Sequence, residues 1–453
     1  MRDWDLVVCG AGPAGCALAA KVASGGGRVL LLERASAPGE GRDWVVDVAS
    51  GTFETAGVPA PEAADLFEEP DATYLVTTTR DLMVELLPSP ILPVRNAVYV
   101  RRLAQWAVDC GAVLETETSV LGPLIAGDSV GGVRLSAPSG EMVATASITA
   151  DCTGISGAIR RKTPPAWHLS DGLAPSQIVL ARRETRLIDR DSARENIRDG
   201  HMMDRARLDR VGTQGPYSIE TCFLDIERGF ADILIGVKPG SGPDADERFA
   251  AFLAERPYIG EKVFGDGGPI PIRRPLDTFV ADGLVVLGDS ACQVIPAHGS
   301  GTASALLAAD LCAESVLRAL ETGKSDREAL WGYNHGFMTA RGAVLAYYDV
   351  IRRHADTQDV ADLNTMLRTG VLGPGEVFSG LFPEVPKLGF KQLAPKLRGM
   401  MKVIGAMPGI IRAGRLAGRT MDHYIDYPPL YRPGRLEEWI AAMPRGARED
   451  SVG

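Results

Sequence analysis

The stretch DLVVCGAGPAGCALAAKVASGGGRVLLLER, residues 5–34, decides the fold class. A short apolar run, a glycine turn, an alanine-rich helical segment and a second apolar run follow one another, as in a β-α-β unit. The turn has the spacing Gly10-x-Gly12-x-x-Gly15, and Glu33 ends the second run. Such glycines allow a tight turn, a close approach of backbone to a diphosphate and close helix–strand packing, and the acidic residue can bind a ribose hydroxyl. The stretch therefore predicts dinucleotide binding, the alternative being an ordinary β-α-β turn.

A second motif, ADCTGISGAIRR at residues 150–161, places Asp151 at the end of a predicted strand and Gly154 in the following turn. Alone, it is equally consistent with any strand-ending loop.

The third motif is VLGDSACQVIPAHGSGTAS, residues 286–304. Asp289 follows a buried-type strand, where its carboxylate could accept hydrogen bonds from a polyol. The proline and glycines that follow bring bare backbone to a helix predicted to begin near Thr302, whose N-terminus favours negative charge. The alternative is an Asp N-cap followed by a loop.

The pattern along the chain divides it into three parts. The α/β alternation of the first part, including a strand over VLETETSVLG, gives way to strand-like runs around Arg228 and returns at LVVLGDSA. The last part is mainly helical. We expect a discontinuous cofactor domain (1–73, 95–160 and 277–325), a mostly antiparallel second domain (74–94 and 161–276) and a helical C-terminal region (326–453).

The composition of the chain disfavours some classes of binding partner and some kinds of site. With 453 residues and 45% hydrophobic content the chain can form two or three domains, and its net charge of -10 disfavours nucleic acid as a partner. The seven cysteines contain no C-x-x-C pair, which fits neither a disulfide framework nor a zinc site. No export signal or membrane-spanning segment is expected, so we predict a cytoplasmic protein.

The three motifs together resemble those of a known group of flavoproteins. GAGPAG with Glu33 and Arg34, DCTG at 151–154 and GDSACQVIPAHGSG at 288–301 are similar to the three FAD motifs of the superfamily that includes para-hydroxybenzoate hydroxylase, flavin-dependent halogenases and geranylgeranyl reductases. The resemblance implies a Rossmann-like α/β FAD-binding domain of the para-hydroxybenzoate hydroxylase type, an inserted, mostly antiparallel substrate domain and a helical C-terminal part.

The resemblance also implies roles for residues. The glycine turn would hold the diphosphate, Glu33 the adenosine ribose and Asp289 the ribityl chain, with the loop from Pro296 to Gly301 beside the isoalloxazine and Val120 near the adenine. Arg42 and one of Arg95, Arg101 and Arg102 would lie near the flavin. The full set of expected FAD-binding residues is Gly10, Gly12, Ala14, Gly15, Glu33, Arg34, Arg42, Arg102, Val120, Gly154, Gly288, Asp289, Pro296, Gly299, Ser300 and Gly301.

Motifs that this chain lacks or shares with the members of the superfamily indicate which reaction to expect. The chain lacks the W-x-W-x-I-P element of tryptophan halogenases and the Y-x-W-x-F-P segment of archaeal geranylgeranyl reductases, while DCTG is closer to the reductase and halogenase form of the middle motif. We expect a geranylgeranyl reductase-like enzyme that transfers hydride between flavin N5 and a hydrophobic, unsaturated small molecule. The alternatives are an FAD monooxygenase acting on an aromatic or polyketide-like compound and an electron-relay flavoprotein. Without a second dinucleotide motif, electrons would come from transiently bound NAD(P)H or a protein donor.

Four residues are candidate proton donors or substrate contacts. His298 and Cys292 belong to the expected flavin loop, and Tyr217 and Cys222 to the strand expected to cover the substrate. For each, a packing or half-buried sheet position is the alternative.

The basic segment from 387 to 419 contains no acidic residue and interleaves Lys and Arg with apolar residues. It predicts either a peripheral contact with an anionic membrane or a helix packed on the acidic body of the protein.

Overall fold

The computed structural model describes residues 3–79, 81–86, 90–197, 202–212, 218–369, 405 and 407–447. The first sheet has five parallel strands in the order β17-β10-β1-β2-β7, with β16 antiparallel at one edge and the hairpin β8–β9 continuing from β10. Its strands are β1 (Trp4–Cys9), β2 (Val29–Leu32), β7 (Val113–Glu115), β8 (Ser119–Ala126), β9 (Ser129–Ala137), β10 (Gly140–Asp151), β16 (Val280–Ala281) and β17 (Leu284–Val286).

The second sheet lies in the order β15-β11-β14-β13-β12-β4-β5, antiparallel except for β4 beside β12. A separate pair, β3 (Val45–Ala49) and β6 (Ile91–Arg95), is antiparallel. The seven strands are β4 (Ala72–Val76), β5 (Met83–Glu85), β11 (Ile178–Ile188), β12 (Ala206–Val211), β13 (Ser218–Asp225), β14 (Phe230–Val237) and β15 (Ile259–Pro271).

Helices pack on both sheets and form the C-terminal part. They are α1 (Pro13–Ser24), α2 (Thr52–Thr55), α3 (Asn96–Asp109), α4 (Arg190–Asn196), α5 (Ala245–Ala254), α6 (Thr302–Thr322), α7 (Arg327–Phe337), α8 (Ala343–Ala355), α9 (Val360–Arg368), α10 (Met407–Ile425) and α11 (Arg435–Ala441). Among the helices in these ranges, none combines the length and the apolarity that a bilayer crossing needs.

Two cores stabilise these layers. The larger core packs the first sheet against α1, α3 and α6 and takes in Tyr333 and Phe337 of α7. A smaller core lies between one face of the second sheet and α5, where Phe249 and Phe252 are buried. Because side chains alternate along a strand, the other face of this sheet is left to face the first domain.

One predicted strand was wrong in its extent. VLETETSVLG is two strands, β7 and β8, because Glu117 adopts a left-handed backbone conformation with φ of 53°. The turn lets the amide N–H groups of Glu117 and Thr118 donate to the carbonyl oxygens of Ala35 and Glu33. These two hydrogen bonds hold the segment that follows β2 in place.

Candidate functional site

The glycine turn after β1 is closed on one side and open on the other. A Cβ on Gly10, where φ is +106°, would lie 2.3 Å from the carbonyl oxygen of Cys152, and one on Gly15 would lie 2.0 Å from the oxygen of Gly10. A Cβ on Gly12 would meet nothing within 4 Å. Gly10 and Gly15 thus allow close packing, whereas Gly12 borders the open space at the N-terminus of α1, where a diphosphate can meet helix N–H groups.

Glu33 ties the end of β2 to this turn. One of its carboxylate oxygens accepts from the amide of Ala11 at 3.1 Å, and the other accepts from the amide of Ala35 at 2.9 Å. The side chain is half-buried, so its remaining lone pairs can accept from a ribose hydroxyl beside the turn.

Asp151 organises the second motif. Its fully buried carboxylate accepts from the hydroxyl of Thr153 at 2.6 Å and from the amides of Thr153, Ile159 and Arg160. These hydrogen bonds fix the loop that carries Cys152 against Gly10. Asp151 is therefore a positioning residue, and Gly154 in the same loop reaches the cavity described below.

The third motif brings Asp289 to a cavity wall. Within the described part of the chain its half-buried carboxylate accepts no hydrogen bond, and burial raises its pKa while the charge of Arg42 lowers it. A Cβ on Gly301 would lie 3.2 Å from Oδ1 of Asp289, so this glycine allows the loop to pass close to the carboxylate. A ligand rich in hydroxyl groups would supply the missing donors.

A cavity of about 590 Å³ connects these motifs to the open face of the second sheet. This volume falls within the range of small-molecule and cofactor sites. The expected FAD-binding residues that line it are Gly12, Ala14, Gly15, Arg42, Gly154, Gly288, Asp289, Gly299, Ser300 and Gly301. The open turn at Gly12 and the unpartnered carboxylate of Asp289 fit an FAD molecule, which carries a diphosphate and a polyol.

Other expected residues lie elsewhere. The guanidinium of Arg102 forms ion pairs with Glu62 and Asp65, and Arg34 is exposed. Val120 on β8 pairs with Leu135 of β9. Together with Gly10, Glu33 and Pro296, these residues do not line the cavity.

The three catalytic candidates that the structure describes are not brought together. His298 lines the cavity, whereas Cys292 is buried in the core beneath its loop. Cys222 points into the core on the α5 side of the second sheet, and burial and nearby carboxylates raise the pKa of its thiol although Arg256 lowers it. Tyr217 lies outside the described residues.

His298 is oriented by its own loop. Its Nδ1 accepts from the amide N–H of Ser300 at 3.3 Å, so in the neutral imidazole the proton is on Nε2. The hydroxyl of Ser300 donates in turn to the carbonyl oxygen of Asp47 at 3.2 Å. The loop therefore holds a potential proton donor next to strand β3.

Charged side chains on the cavity face of the second sheet were not expected. Arg183 of β11 pairs with Asp232 of β14 at 2.6 Å, and Arg207 of β12 binds Asp47 at 2.8 Å and Asp209 at 3.0 Å. All five line the cavity. Burial raises the pKa of Asp47, but Arg207 and Arg183 outweigh it and lower that pKa to about 2. The carboxylates of this network outnumber its arginines.

Apolar side chains lie on the same face. Ala181, Ile219, Leu234 and Ile270 line the cavity. Alternation along the strands puts them on the face that carries Arg183 and Asp209. The cavity can therefore hold an apolar molecule that has a polar group at one end.

The chain is similar to several known proteins over most of its length. The digeranylgeranylglycerophospholipid reductase of Sulfolobus acidocaldarius is 24% identical over 448 residues, covering 96% of this chain and 95% of the relative. A geranylgeranyl bacteriochlorophyll reductase-like protein from Thermoplasma acidophilum superposes with a TM-score of 0.71 at 16% identity, over 88% of this chain and 96% of that one. Aklavinone-11 hydroxylase, solved with FAD and aklavinone, gives a TM-score of 0.58 at 16% identity, over 80% of this chain and 71% of that one.

No protein-family model matches the chain. The comparisons nevertheless confirm the predicted superfamily and fold class. The chain is related to the digeranylgeranylglycerophospholipid reductases, and it shares its α/β fold with flavin-dependent hydroxylases and halogenases.

Proposed function

We propose that this chain, an FAD-dependent oxidoreductase related to the digeranylgeranylglycerophospholipid reductases, reduces a carbon–carbon double bond in a largely apolar substrate. One observation carries the proposal. A single cavity runs from the glycine turn to a partly apolar face of the second sheet, in a chain that matches such a reductase over 96% of its length. When bound, FAD supplies the hydride chemistry.

Residues of the cavity, together with Glu33 of the adjoining glycine turn, support this placement of the cofactor. Gly12 and the N-terminus of α1 would hold the diphosphate, Glu33 would bind the ribose and Asp289 the ribityl hydroxyls. The loop from Gly299 to Gly301 would lie against the ring system. Arg42, whose Nη1 donates to the carbonyl oxygen of Gly267 at 3.2 Å, would lie near the flavin.

His298 is the proposed proton donor. Reduction of a double bond needs a hydride at one carbon and a proton at the other. Neutral His298 carries its proton on Nε2 and lines the cavity, which supports this role. Ala181, Ile219 and Leu234 would exclude water from the reacting carbons.

The charged network favours a second candidate function. Arg207 with Asp47 and Asp209 would suit oxygen or hydroxyl substituents better than a bare hydrocarbon. This favours an FAD monooxygenase that hydroxylates an oxygenated aromatic or polyketide-like compound.

Assays with and without oxygen separate the candidates. Anaerobic conversion of an alkene, with electrons from NAD(P)H or a protein donor, supports the reductase. Substrate-stimulated NAD(P)H consumption that requires oxygen and forms a hydroxylated product supports the monooxygenase. Electron transfer to a quinone with neither product would instead identify an electron relay.

Helix α10 offers a way to reach a lipid substrate. Ala413, Ala417 and Tyr424 are buried on one side of it, while Ile411 and a row of arginines are exposed on the other. We propose that this exposed face touches an anionic membrane; residues 387–404 and 406 of the predicted segment lie outside the described residues. Binding to vesicles containing phosphatidylserine, lost on changing the exposed Arg412, Arg415 and Arg419 to Glu, tests the contact.

A further inference from the structure

Arg207 on strand β12 forms a cluster with two carboxylates at the cavity wall. Its Nε donates to Oδ1 of Asp209 at 3.0 Å, and its Nη1 donates to Oδ2 of Asp47 at 2.8 Å. All three residues line the cavity. Among the described residues, none donates to Oδ2 of Asp209 or Oδ1 of Asp47, and none accepts from Nη2 of Arg207. This Arg207 cluster therefore offers a ligand one N–H group that donates and two oxygen atoms that accept.

A buried hydroxyl group without a partner lies beside the Arg207 cluster. Thr221 of β13 pairs in register with Asp209 of β12 and with Leu234 of β14, and both of these residues line the cavity. Alternation along β13 puts Thr221 on the same face as Ile219 and Phe223, which also line it. Thr221 is 1% exposed, and its Oγ1 has no hydrogen-bond partner within the described ranges. Because an unpaired buried hydroxyl is costly, Thr221 indicates that a polar group of a ligand comes to this part of the wall.

Negative charge predominates where the second sheet forms the cavity. Asp47, Asp209 and Asp232 pair there with only two arginines, Arg183 and Arg207. Although burial raises the pKa of Asp47, the two arginines lower it to about 2, so Asp47 is ionised at neutral pH. The sheet face therefore holds its own arginines fully neutralised and keeps an excess of carboxylate.

Three further acidic residues, Glu68, Glu69 and Asp71, also line the cavity. Arg228 forms an ion pair with Glu68 at 2.9 Å, and Arg205 forms one with Asp71 at 2.8 Å, but neither arginine lines the cavity. An anionic ligand that approaches along the second sheet would thus meet carboxylates before it met a cation.

The other arginines of the cavity lie beside the motifs assigned to the cofactor. In the described part of the chain these are Arg42, which interacts with the charge of Asp289, and Arg341, whose Nε donates to the hydroxyl of Ser304 on α6 at 3.0 Å. Neither forms a recorded ion pair with the Arg207 cluster. Their charges therefore act at the cofactor end of the cavity and not at the wall formed by the second sheet.

We infer that the Arg207 cluster and Thr221 bind the polar end of the substrate, and that this end is an uncharged hydroxyl group. A hydroxyl can donate to a carboxylate oxygen and accept from Nη2 of Arg207 at the same time. A phosphate group carries up to about two negative charges at neutral pH and would be repelled by Asp47 and Asp209. An ammonium group can only donate, so it would leave Nη2 of Arg207 unpaired.

This inference rests on the proposed function, because it assigns one end of the substrate of the same reaction. It also distinguishes this chain from its relatives. The digeranylgeranylglycerophospholipid reductases are named for a phosphorylated lipid, whereas the wall described above disfavours a phosphorylated end. We expect the substrate of this chain to be a long, unsaturated, apolar molecule that ends in a hydroxyl group.

The test compares four ligands that share one hydrocarbon chain: geranylgeraniol, geranylgeranyl phosphate, geranylgeranylamine and the parent hydrocarbon. Each is titrated onto FAD-saturated wild type, Asp209→Asn and Glu220→Gln, and binding is followed by the shift in thermal unfolding. Glu220 is the matched control, because it pairs with Arg210 between the same two strands, β13 and β12, and does not line the cavity.

We expect wild type to bind the alcohol at least about tenfold more tightly than the phosphate, the amine or the hydrocarbon. Asp209→Asn should reduce the preference for the alcohol over the phosphate by about tenfold, because one repelling charge is removed. Glu220→Gln should keep the preference of wild type. Any of the other three ligands binding wild type as tightly as the alcohol would overturn the inference, and this comparison needs no variant. An unchanged preference in a folded Asp209→Asn protein would overturn it as well.

Reduction of the same compounds without oxygen, with dithionite as the electron source, separates the inference from the proposed function. If the alcohol is bound preferentially but its double bonds are not reduced, the proposed function fails and the hydroxyl subsite stands. If double bonds are reduced but the phosphate is preferred, the subsite fails and the proposed function stands. Failure of all four compounds to bind would contradict both.

Discussion

Gly10 and Cys152 touch across the first and second motifs, since a Cβ on Gly10 would lie 2.3 Å from the carbonyl oxygen of Cys152. This contact joins the end of β1 to the loop that Asp151 organises. The two motifs are thus one packed unit, which has consequences for substitution.

Gly10→Ala should disrupt this unit. The new methyl group meets backbone rather than a flexible side chain, and φ at this position is +106°. We expect a loss of more than about 2 kcal/mol in the free energy of unfolding, together with loss of bound flavin. Urea unfolding and flavin content measure both effects.

Gly12→Ala is the matched comparison. Its Cβ meets nothing within 4 Å, and φ is -80°, so the apoprotein should keep its stability within about 0.5 kcal/mol. FAD affinity should nevertheless fall, because the methyl group would occupy the space in which the diphosphate of FAD would bind. Equal FAD affinity in this variant and wild type would argue against a diphosphate at the turn.

Asp289→Asn should separate stability from cofactor binding. Burial raises the pKa of Asp289, so above that pKa the ionised carboxylate destabilises the apoprotein. The amide removes this charge, and the apoprotein should become more stable at neutral pH than wild type. FAD affinity should fall about tenfold or more because charge-assisted hydrogen bonds to hydroxyl groups are lost. Calorimetry measures the expected gain in stability, and flavin titration measures the expected loss of FAD affinity.

Asp47 predicts how stability changes in acid. Its pKa is lowered from 3.8 to about 2 in the folded protein, so its contribution is present above pH 3.8 and disappears as the pH falls toward 2. The shift corresponds to about 2 kcal/mol. Asp47→Asn should therefore lower stability at pH 7 and flatten the decline between pH 5 and pH 2, measured by urea unfolding in buffers across about this range. The same decline in both proteins would contradict this assignment.

Cys222 and His298 should behave differently on substitution. Cys222→Ser places a hydroxyl in the α5 core and should cost about 1–3 kcal/mol of stability without slowing turnover per folded molecule.

His298→Gln keeps the fold but removes a proton donor and should slow double-bond reduction by about 10²-fold. Rates normalised to bound flavin distinguish these effects, and a fast His298→Gln variant would exclude His298 as the donor.

Local patterns predicted the fold class but only part of the cavity. The first β-α-β unit and the start of α6 at Thr302 follow from residues adjacent in sequence. The role of Asp151 depends on amides as far as Arg160 folding back onto it, which spacing alone does not show. The direction of Cys222 depends on which face of β13 meets the first domain, a property of tertiary packing.

The charged residues of the cavity could not be paired from the sequence alone either. Arg183 and Asp232 lie on neighbouring strands but 49 residues apart in the chain. The sequence does show charged residues inside strand-like runs such as ARRETRL. This pattern indicates that the charged side chains pair with other buried residues, but it does not identify those residues.

The amount of flavin in freshly purified, folded protein tests the central claim most directly. We predict a yellow protein that releases FAD on unfolding in near-equal molar amount to the chain, and a Gly12→Ala variant that folds but retains less. A folded wild-type protein that is colourless, and that takes up no FAD when the cofactor is added, would contradict the account.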